Sequence, residues 1–310
     1  MGFVGSAGAV AGEQLHEGET VADEDLVRRL LADQHPALAD RPVRRIASTG
    51  TEHAVFRLGD HLVVRMPRLE RAQRQVAGEW ALLPTLADQL PVEVPMPVAV
   101  GEPGFGYPFR WLVSRWVGGH DLLALMADEA DVDWRRLAID LAAFLRALQA
   151  VDVTAAPPAG RRGQELAPHD EIVRDCVREL ADEIDGDAAL AVWRAGLDAA
   201  AWSGPPVWVH GDLLPGNIVI GADGRLASVI DWASAGLGDP ACELMVAWSL
   251  PPDARALLRA ELDVDDDTWA RAKAWVVEQA VLFIPYYGPK IRAAVAVNRA
   301  RLDAVLADRP

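Results

Sequence analysis

The chain has 310 residues, 51% of them hydrophobic, and its 46 acidic against 30 basic side chains give a formal net charge of -16. That length allows one large domain or two modest ones around a sizeable core. Such acidity repels nucleic acid and anionic membrane, so neither is expected as a partner, and it either attracts cationic ligands or simply aids solubility. Only Cys176 and Cys242 are present, too few for a disulfide framework, so the cytoplasm is the expected compartment. No apolar run approaches the roughly 20 residues that span a bilayer.

Residues 1–22 read as a flexible tail rich in small side chains. "DEDLVRRLLADQ" (23–34) repeats apolar residues at helical spacing, with acids in its first turn to suit the helix dipole. "RRIAST", "HAVFRLGD" and "HLVVRMPR" (44–49, 53–60, 61–68) are short, β-rich and separated by Gly50 and Gly59-Asp60. They predict an antiparallel meander. A helix is expected over 71–90, ended or kinked by Pro84. A Pro/Gly-rich connection then leads to "PFRWLVSRWVGG" (108–119), one more strand running into a Gly-Gly turn.

Beyond that turn the pattern becomes helical. Asp133 is expected to cap a helix whose apolar face is Leu137, Leu141, Leu145 and Leu148. Two more helices are expected over 171–200. Residues 206–232 return to strands, with Asp223-Gly224 as a hairpin turn. Asp239 and Pro240 then mark a further helix start, and 253–308 read as helical. The fold class is therefore α+β, a strand-rich N-terminal lobe joined near Val117-Gly118-Gly119 to a helix-rich C-terminal lobe. The crevice between the lobes is the expected ligand site.

The densest polar chemistry lies in "VHGDLLPGNIVI" (209–220). His210, Asp212 and Asn217 have the H-x-D-x-x-x-x-N spacing of a kinase catalytic loop, with Gly211 where arginine is usual. Asp231 follows at the end of "ASVID". In a kinase the aspartate of the loop orients the acceptor hydroxyl, while the asparagine and the later aspartate hold magnesium. The strands "IVI" and "LASVI" would pair around Asp223-Gly224 and return Asp231 to the side of Asn217. Sequence separation would thus become spatial adjacency.

The segment HGDLLPGN…IDW…GDPACEL resembles the antibiotic phosphotransferases, the aminoglycoside and macrolide kinases with a eukaryotic-protein-kinase-like fold. The resemblance extends through "STGTEHAVFRLGDHLVVRMPR" and covers most of residues 24–305. It implies a bilobal protein-kinase-like fold, with a small antiparallel-sheet N-terminal lobe (23–117) and a larger, mostly helical C-terminal lobe (118–310). It further implies transfer of the γ-phosphate of ATP or GTP, with Mg2+, to a hydroxyl of a small-molecule antibiotic. Asp212 matches the catalytic aspartate, and Asn217 and Asp231 match the metal ligands. Asp239 matches a structural carboxylate and His210 a packing position, with Trp232 expected near the site. A monomer is expected.

One departure stands out. Kinases carry a lysine on the third strand, yet the only lysines here are Lys273 and Lys290. Arg65, with Glu79 on the following helix as ion-pair partner, is the expected substitute, because arginine stays charged and binds phosphate in a bidentate fashion. The loop "STGTEH" (48–53) would contact phosphate through backbone amides near Gly50 and the Ser48 or Thr49 hydroxyls. "LVSRWVGG" would be the hinge, where main-chain groups of residues 114–117, Ser114 and Trp116 among them, would bind the purine. ATP and GTP remain equal options.

For the acceptor, the resemblance implies carboxylate-lined pockets where the substrate is an aminoglycoside polycation. Asp170, Glu171, Asp175, Glu243 and Glu278 are the candidates, and "WVVEQAVLFIPYYGPK" (275–290) could line a macrolide pocket or a packed core. An aminoglycoside is the first expectation. A macrolide, or a metabolic acceptor such as choline, homoserine or a sugar amine, is the alternative. A non-catalytic nucleotide-binding relative would have lost one of Asp212, Asn217 and Asp231, and all three are present.

Overall fold

The structure is a computed structural model that describes residues 18–46, 52–154, 156–288 and 290–308. Helix α1 (Glu24–Gln34) starts at Asp23, whose carboxylate accepts the Leu26 N–H at 2.7 Å. Its buried face, Leu26, Val27, Leu30 and Leu31, is the one the spacing marks. A short helix α2 (Pro36–Ala39) follows. Strands β1 (Val43–Arg45), β2 (His53–Leu58), β3 (Leu62–Pro67), β4 (Pro97–Gly101) and β5 (Trp111–Arg115) form one sheet in the order β1-β2-β3-β5-β4. Every neighbouring pair is antiparallel. Helix α3 (Glu70–Leu86) connects β3 to β4.

Four expectations change here. Residues 19–22 are docked rather than loose: Thr20 N–H donates to the Arg68 carbonyl at 2.8 Å, Glu19 pairs with Arg68, and Ala22 is buried. Pro84 does not end α3 but lies in its last turn. The carbonyl that loses its donor there belongs to Trp80, a residue exposed to solvent, so the cost is small. The Pro/Gly-rich connection contains β4, an edge strand whose proline stands at its first position, where no ladder donor is missed. Finally, Leu83, Leu86, Leu90 and Val94 pack into the hydrophobic core of the C-terminal lobe, not that of the sheet.

The C-terminal lobe holds β6 (His120–Asp121), α4 (Leu122–Ala127), α5 (Trp134–Gln149), α6 (Asp170–Glu179) and α7 (Gly186–Asp198). The hairpin β8 (Ile218–Ile220) and β9 (Leu226–Val229) pairs with β6, and β7 (Val207–Val209) pairs with β10 (Gly236–Gly238). Helices α8 (Pro252–Glu261), α9 (Asp266–Tyr287) and α10 (Arg292–Ala307) complete it. The segment after Asp239 is a 3-10 helix over Pro240–Ser249, capped as expected by the Asp239 carboxylate. This is the α+β, two-lobed arrangement that the sequence predicts. Among the described residues no helix is long and apolar enough to cross a membrane.

Helix α5 forms the floor beneath the strands that carry the polar loop. Asp133 caps it, and Leu137, Leu141, Leu145 and Leu148 are fully buried. Its Phe144 meets the ring of Trp232 edge-on at 6.2 Å. Asp140, on the same helix, takes the Arg225 fork at 2.7 and 2.6 Å and the Leu226 N–H at 3.2 Å, which fixes the hairpin turn. Phe144→Ala should therefore cost about 3–5 kcal/mol, the usual range for a buried aromatic, read by chemical denaturation.

Candidate active site

A cavity of about 930 Å³ opens between the lobes. Val55 and Val63 of the sheet, Ile46 just after β1, and Val219 and Ile230 of the hairpin region give it an apolar slot. Arg115, Trp116 and Val117 line its inner edge. Trp116 N–H donates to the His61 carbonyl at 2.8 Å, and the Arg57 guanidinium stacks on the Trp116 ring. Ser114 differs from expectation. It is buried inside the sheet, opposite Val63 and Pro97, and does not reach the cavity. Ser48, Thr49 and Gly50 lie outside the described residues.

Register explains how the polar residues converge. Ile218 pairs with Val229, and Ile230 N–H donates to the Asn217 carbonyl at 2.9 Å. Asn217 and Asp231 thus stand side by side, fourteen residues apart in sequence. Asn217 Nδ2 donates to the Asp212 main-chain oxygen at 2.8 Å and to Asp212 Oδ2 at 3.0 Å. Asp231 holds a left-handed backbone, φ 63°, a conformation that a non-glycine residue adopts at some cost and that recurs at functional sites. All three residues line the cavity.

Arg65 reaches the same place from β3. Its guanidinium bonds Glu79 of α3 and, at 3.1 Å, Asp231 Oδ1. Burial alone would lower the Arg65 pKa, but the two carboxylates override it and hold the group above its ordinary value. Burial pushes the Glu79 carboxyl up, against the pull of Arg65. The expected pair between Arg65 and Glu79 is present, with Asp231 as a second partner that the spacing did not reveal.

The loop itself is held from below. Asp212 N–H donates to His210 Nδ1 at 3.3 Å, which leaves Nε2–H to donate to the Ile230 carbonyl at 3.0 Å. The fully buried His210 ring meets Trp232 edge-on at 4.8 Å. Gly211 has φ 75°, and a Cβ there would stand 2.8 Å from the Ser234 carbonyl oxygen. Only glycine suits that position, which accounts for its place in the motif. Glu243, buried beneath, accepts the Gly211 N–H at 2.8 Å, and burial pushes its carboxyl up. Asp239 takes a two-pronged contact from Arg271 at 2.7 and 3.2 Å.

Asn217 and Asp231 are the positions that could hold a metal. Asn217 spends its amide N–H on Asp212, so its oxygen remains the metal-facing donor, and Asp231 offers a half-exposed carboxylate. Among the described residues no cluster of three or more His, Cys, Asp or Glu could hold an ion. Two hard oxygens that need phosphate oxygens to complete a shell fit Mg2+.

A family model described as APH, phosphotransferase enzyme family, matches residues 43–275. The chain belongs to the phosphotransferase enzyme family. Among solved structures, this phosphotransferase is similar to the GDP and kanamycin complex of APH(2")-IIia, at 18% identity and a TM-score of 0.71, covering 92% of this chain and 99% of that one. It is similar to macrolide 2'-phosphotransferase type I, at 20% identity and a TM-score of 0.63, covering 91% and 98%. The apoenzyme of macrolide 2'-phosphotransferase MphH from Brachybacterium faecium matches at 23% identity and a TM-score of 0.59, covering 92% and 98%. The fold is therefore the kinase-like one of these enzymes. A relative from Bacillus subtilis strain 168, the uncharacterized protein YcbJ, is 24% identical over 200 residues. That match spans 59% of this chain and 61% of the relative, less than two thirds of its length.

The cavity wall beyond Asp212 departs most from expectation. None of Asp170, Glu171, Asp175, Glu243 and Glu278 lines the cavity. Asp170 is bound to Arg174 and Trp193, Asp175 pairs with Arg178, and Glu171 is exposed. Glu243 supports the loop, and Glu278 is buried behind Arg161, which it meets at 3.0 Å. Of the segment 275–290, Gln279 and Phe283 face the cavity while Trp275, Val276 and Val277 are core. The residues that do form this wall are Arg161, Arg162, Asn298 and Arg301, and none was singled out from the sequence. A signal existed. Asn298 and Arg301 are three apart on a helix face shared with the buried Leu302 and Val305, where polar side chains need a reason to be.

Gly211→Ala should strain the loop by about 1–3 kcal/mol, lowering the Tm and displacing Asp212, so that turnover falls further than stability alone accounts for. A folded variant with unchanged Tm and rate would contradict this account of the glycine.

Proposed function

We propose that this chain transfers the terminal phosphoryl group of a purine nucleoside triphosphate to a hydroxyl of a small molecule. The observation that carries the reading is that Arg65, Asp212, Asn217 and Asp231 line one cavity, although Arg65 and Asp231 are 166 residues apart. Mg2+ bound with the nucleotide would spread the developing charge over the phosphate oxygens. The residues of the chain do the rest. The apolar slot takes the purine, and the chain leaving β5 at Trp116-Val117 offers it main-chain groups that the sheet does not use. Arg65 neutralises phosphate charge, held in place by Glu79. Asp212 orients the acceptor hydroxyl.

In the reaction the hydroxyl oxygen bonds to the terminal phosphorus as the bond from phosphorus to the bridging oxygen breaks. The nucleoside diphosphate leaves with that electron pair, and the hydroxyl proton passes to the Asp212 carboxylate. ATP and GTP are both donors that the slot would accept, and GDP in one solved neighbour supports a nucleotide of this kind.

Two acceptor readings follow from different observations. The neighbour in complex with kanamycin and the neighbouring macrolide 2'-phosphotransferase support the antibiotic reading. The wall beyond Asp212 favours the alternative, a metabolic small-molecule kinase, because a polycation would meet Arg161, Arg162 and Arg301 there.

Asp212→Ala should lower turnover by roughly 10²–10⁴-fold, the range for a positioned proton-transfer group, with nucleotide binding retained. Turnover near the wild-type value would remove Asp212 from the chemistry. For Arg65, the methionine variant should raise the nucleotide KM and lower kcat, whereas Arg65→Lys should keep part of both because the charge survives. Steady-state kinetics with varied nucleotide reads both, and identical behaviour of the two variants would disprove the phosphate-binding role.

A further inference from the structure

The wall beyond Asp212 holds a buried cation without a counter-ion. Arg301, on α10, is 2% exposed yet lines the cavity. It donates to Gln279 Oε1 at 2.8 Å, Asn298 Oδ1 at 3.2 Å and the Met245 carbonyl at 3.1 Å, all of them neutral. Its Nε has no hydrogen-bond partner, and among the described residues no carboxylate forms an ion pair with it. Burial and the nearby Arg162 push its pKa down to about 9, with only partial relief from Asp212. A cation kept out of water without an anion is costly, and the cost persists only where something repays it.

Arg162 presents the complementary problem. It bonds Asp212 Oδ1, while Asn217 holds Oδ2, so both oxygens of the carboxylate that must meet a hydroxyl are taken. Its remaining carboxylate neighbour, Glu278, is 4.0 Å away and already meets Arg161 at 3.0 Å and His169 Nδ1 at 3.2 Å. An incoming anion could satisfy Arg301 and pull Arg162 away from Asp212 in one movement. A cationic acceptor could do neither.

We propose that the acceptor carries an anionic group, a carboxylate or a phosphate, which seats between Arg301 and Arg162 and frees Asp212 for the acceptor hydroxyl. The proposal rests on the phosphotransferase reading of Asp212. It makes the acceptor charge a condition for activity as well as a means of binding. Arg301 and Arg162 bind the anion, and Gln279 and Asn298 hold Arg301 in position. The surrounding Phe283, Ala294 and Val297 leave room for an uncharged carbon skeleton beside the anion.

The test uses the full chain with Mg–nucleotide and four acceptors on one carbon skeleton: D-gluconate, D-glucose 6-phosphate, D-glucose and D-glucosamine. Kanamycin is the polycationic reference. Nucleoside diphosphate release and phosphorylated product are measured together with basal nucleotide hydrolysis. At least one anionic member should exceed its neutral and amine counterparts in kcat/KM by roughly tenfold or more, the scale of one charge-assisted hydrogen bond. The carboxylate and phosphate arms show which anion the site prefers. Arg301→Gln should erase the preference through acceptor KM, with nucleotide KM unchanged. Should that variant fail to fold, Arg162→Gln should also erase it, while raising basal hydrolysis because Asp212 is released. Equal or better use of kanamycin or glucosamine, or no anionic member above the basal rate, would overturn the proposal and leave the phosphotransferase reading standing. A rise in nucleotide KM for Arg301→Gln would also overturn it, since the anion would then be the nucleotide's own. Basal hydrolysis that survives Asp212→Ala would instead sink the phosphotransferase reading itself.

Discussion

A guanidinium taken out of water needs its charge matched, and Arg65 meets that need with carboxylates from two distant parts of the chain. Glu79 comes from α3 and Asp231 from just after β9, and the three groups form one junction, buried at Arg65 and Glu79 and open to the cavity at Asp231. Removing one partner of such a pair strands the others, so the junction constrains every element that contributes to it. Helix α3 is pinned at its middle by Glu79 and at its end by Leu83 and Leu86, which belong to the C-terminal core. The sheet is thus tied to the helical lobe by a charge and by an apolar anchor on the same helix.

The loop carrying Asp212 depends on a different economy of contacts. Its backbone turns through a left-handed glycine, leaving amides that have no strand partner. Glu243 and His210 accept those of Gly211 and Asp212 from a buried layer of polar groups. The layer is walled off by Trp232 and Phe144, so water does not compete for the same donors. Rigid support of this kind lets a single carboxylate keep its aim without being part of a regular element.

Charge on the whole chain and charge in the cavity have opposite signs. A net charge of -16 suggests an appetite for cations, yet the wall beyond Asp212 is made of arginines. Most of the acids named as acceptor contacts are either spent on neighbouring arginines or buried as supports. Net charge governs solubility and long-range attraction, while recognition depends on the few groups that line the site. The charge of the cavity wall is therefore set locally and does not follow the average of the chain.

The sequence alone determined the parts whose causes are local. The apolar spacing of α1 and α5, the caps at Asp133 and Asp239, and the turn at Asp223-Gly224 each act within a few residues. The adjacency of Asn217 and Asp231 was legible for the same reason, because a hairpin of known length converts spacing into register. The pairing of Arg65 with Glu79 could also be anticipated, from a strand and the helix that follows it. Tertiary structure decided what packing alone brings together. It set Asp231 against Arg65, put Leu83 and Leu86 in the far core, buried Ser114 within the sheet, and gathered Arg161, Arg162 and Arg301 from a loop and α10. No periodicity encodes such meetings, since the side chains come from segments separated by whole elements, and only the folded core fixes the distance between them.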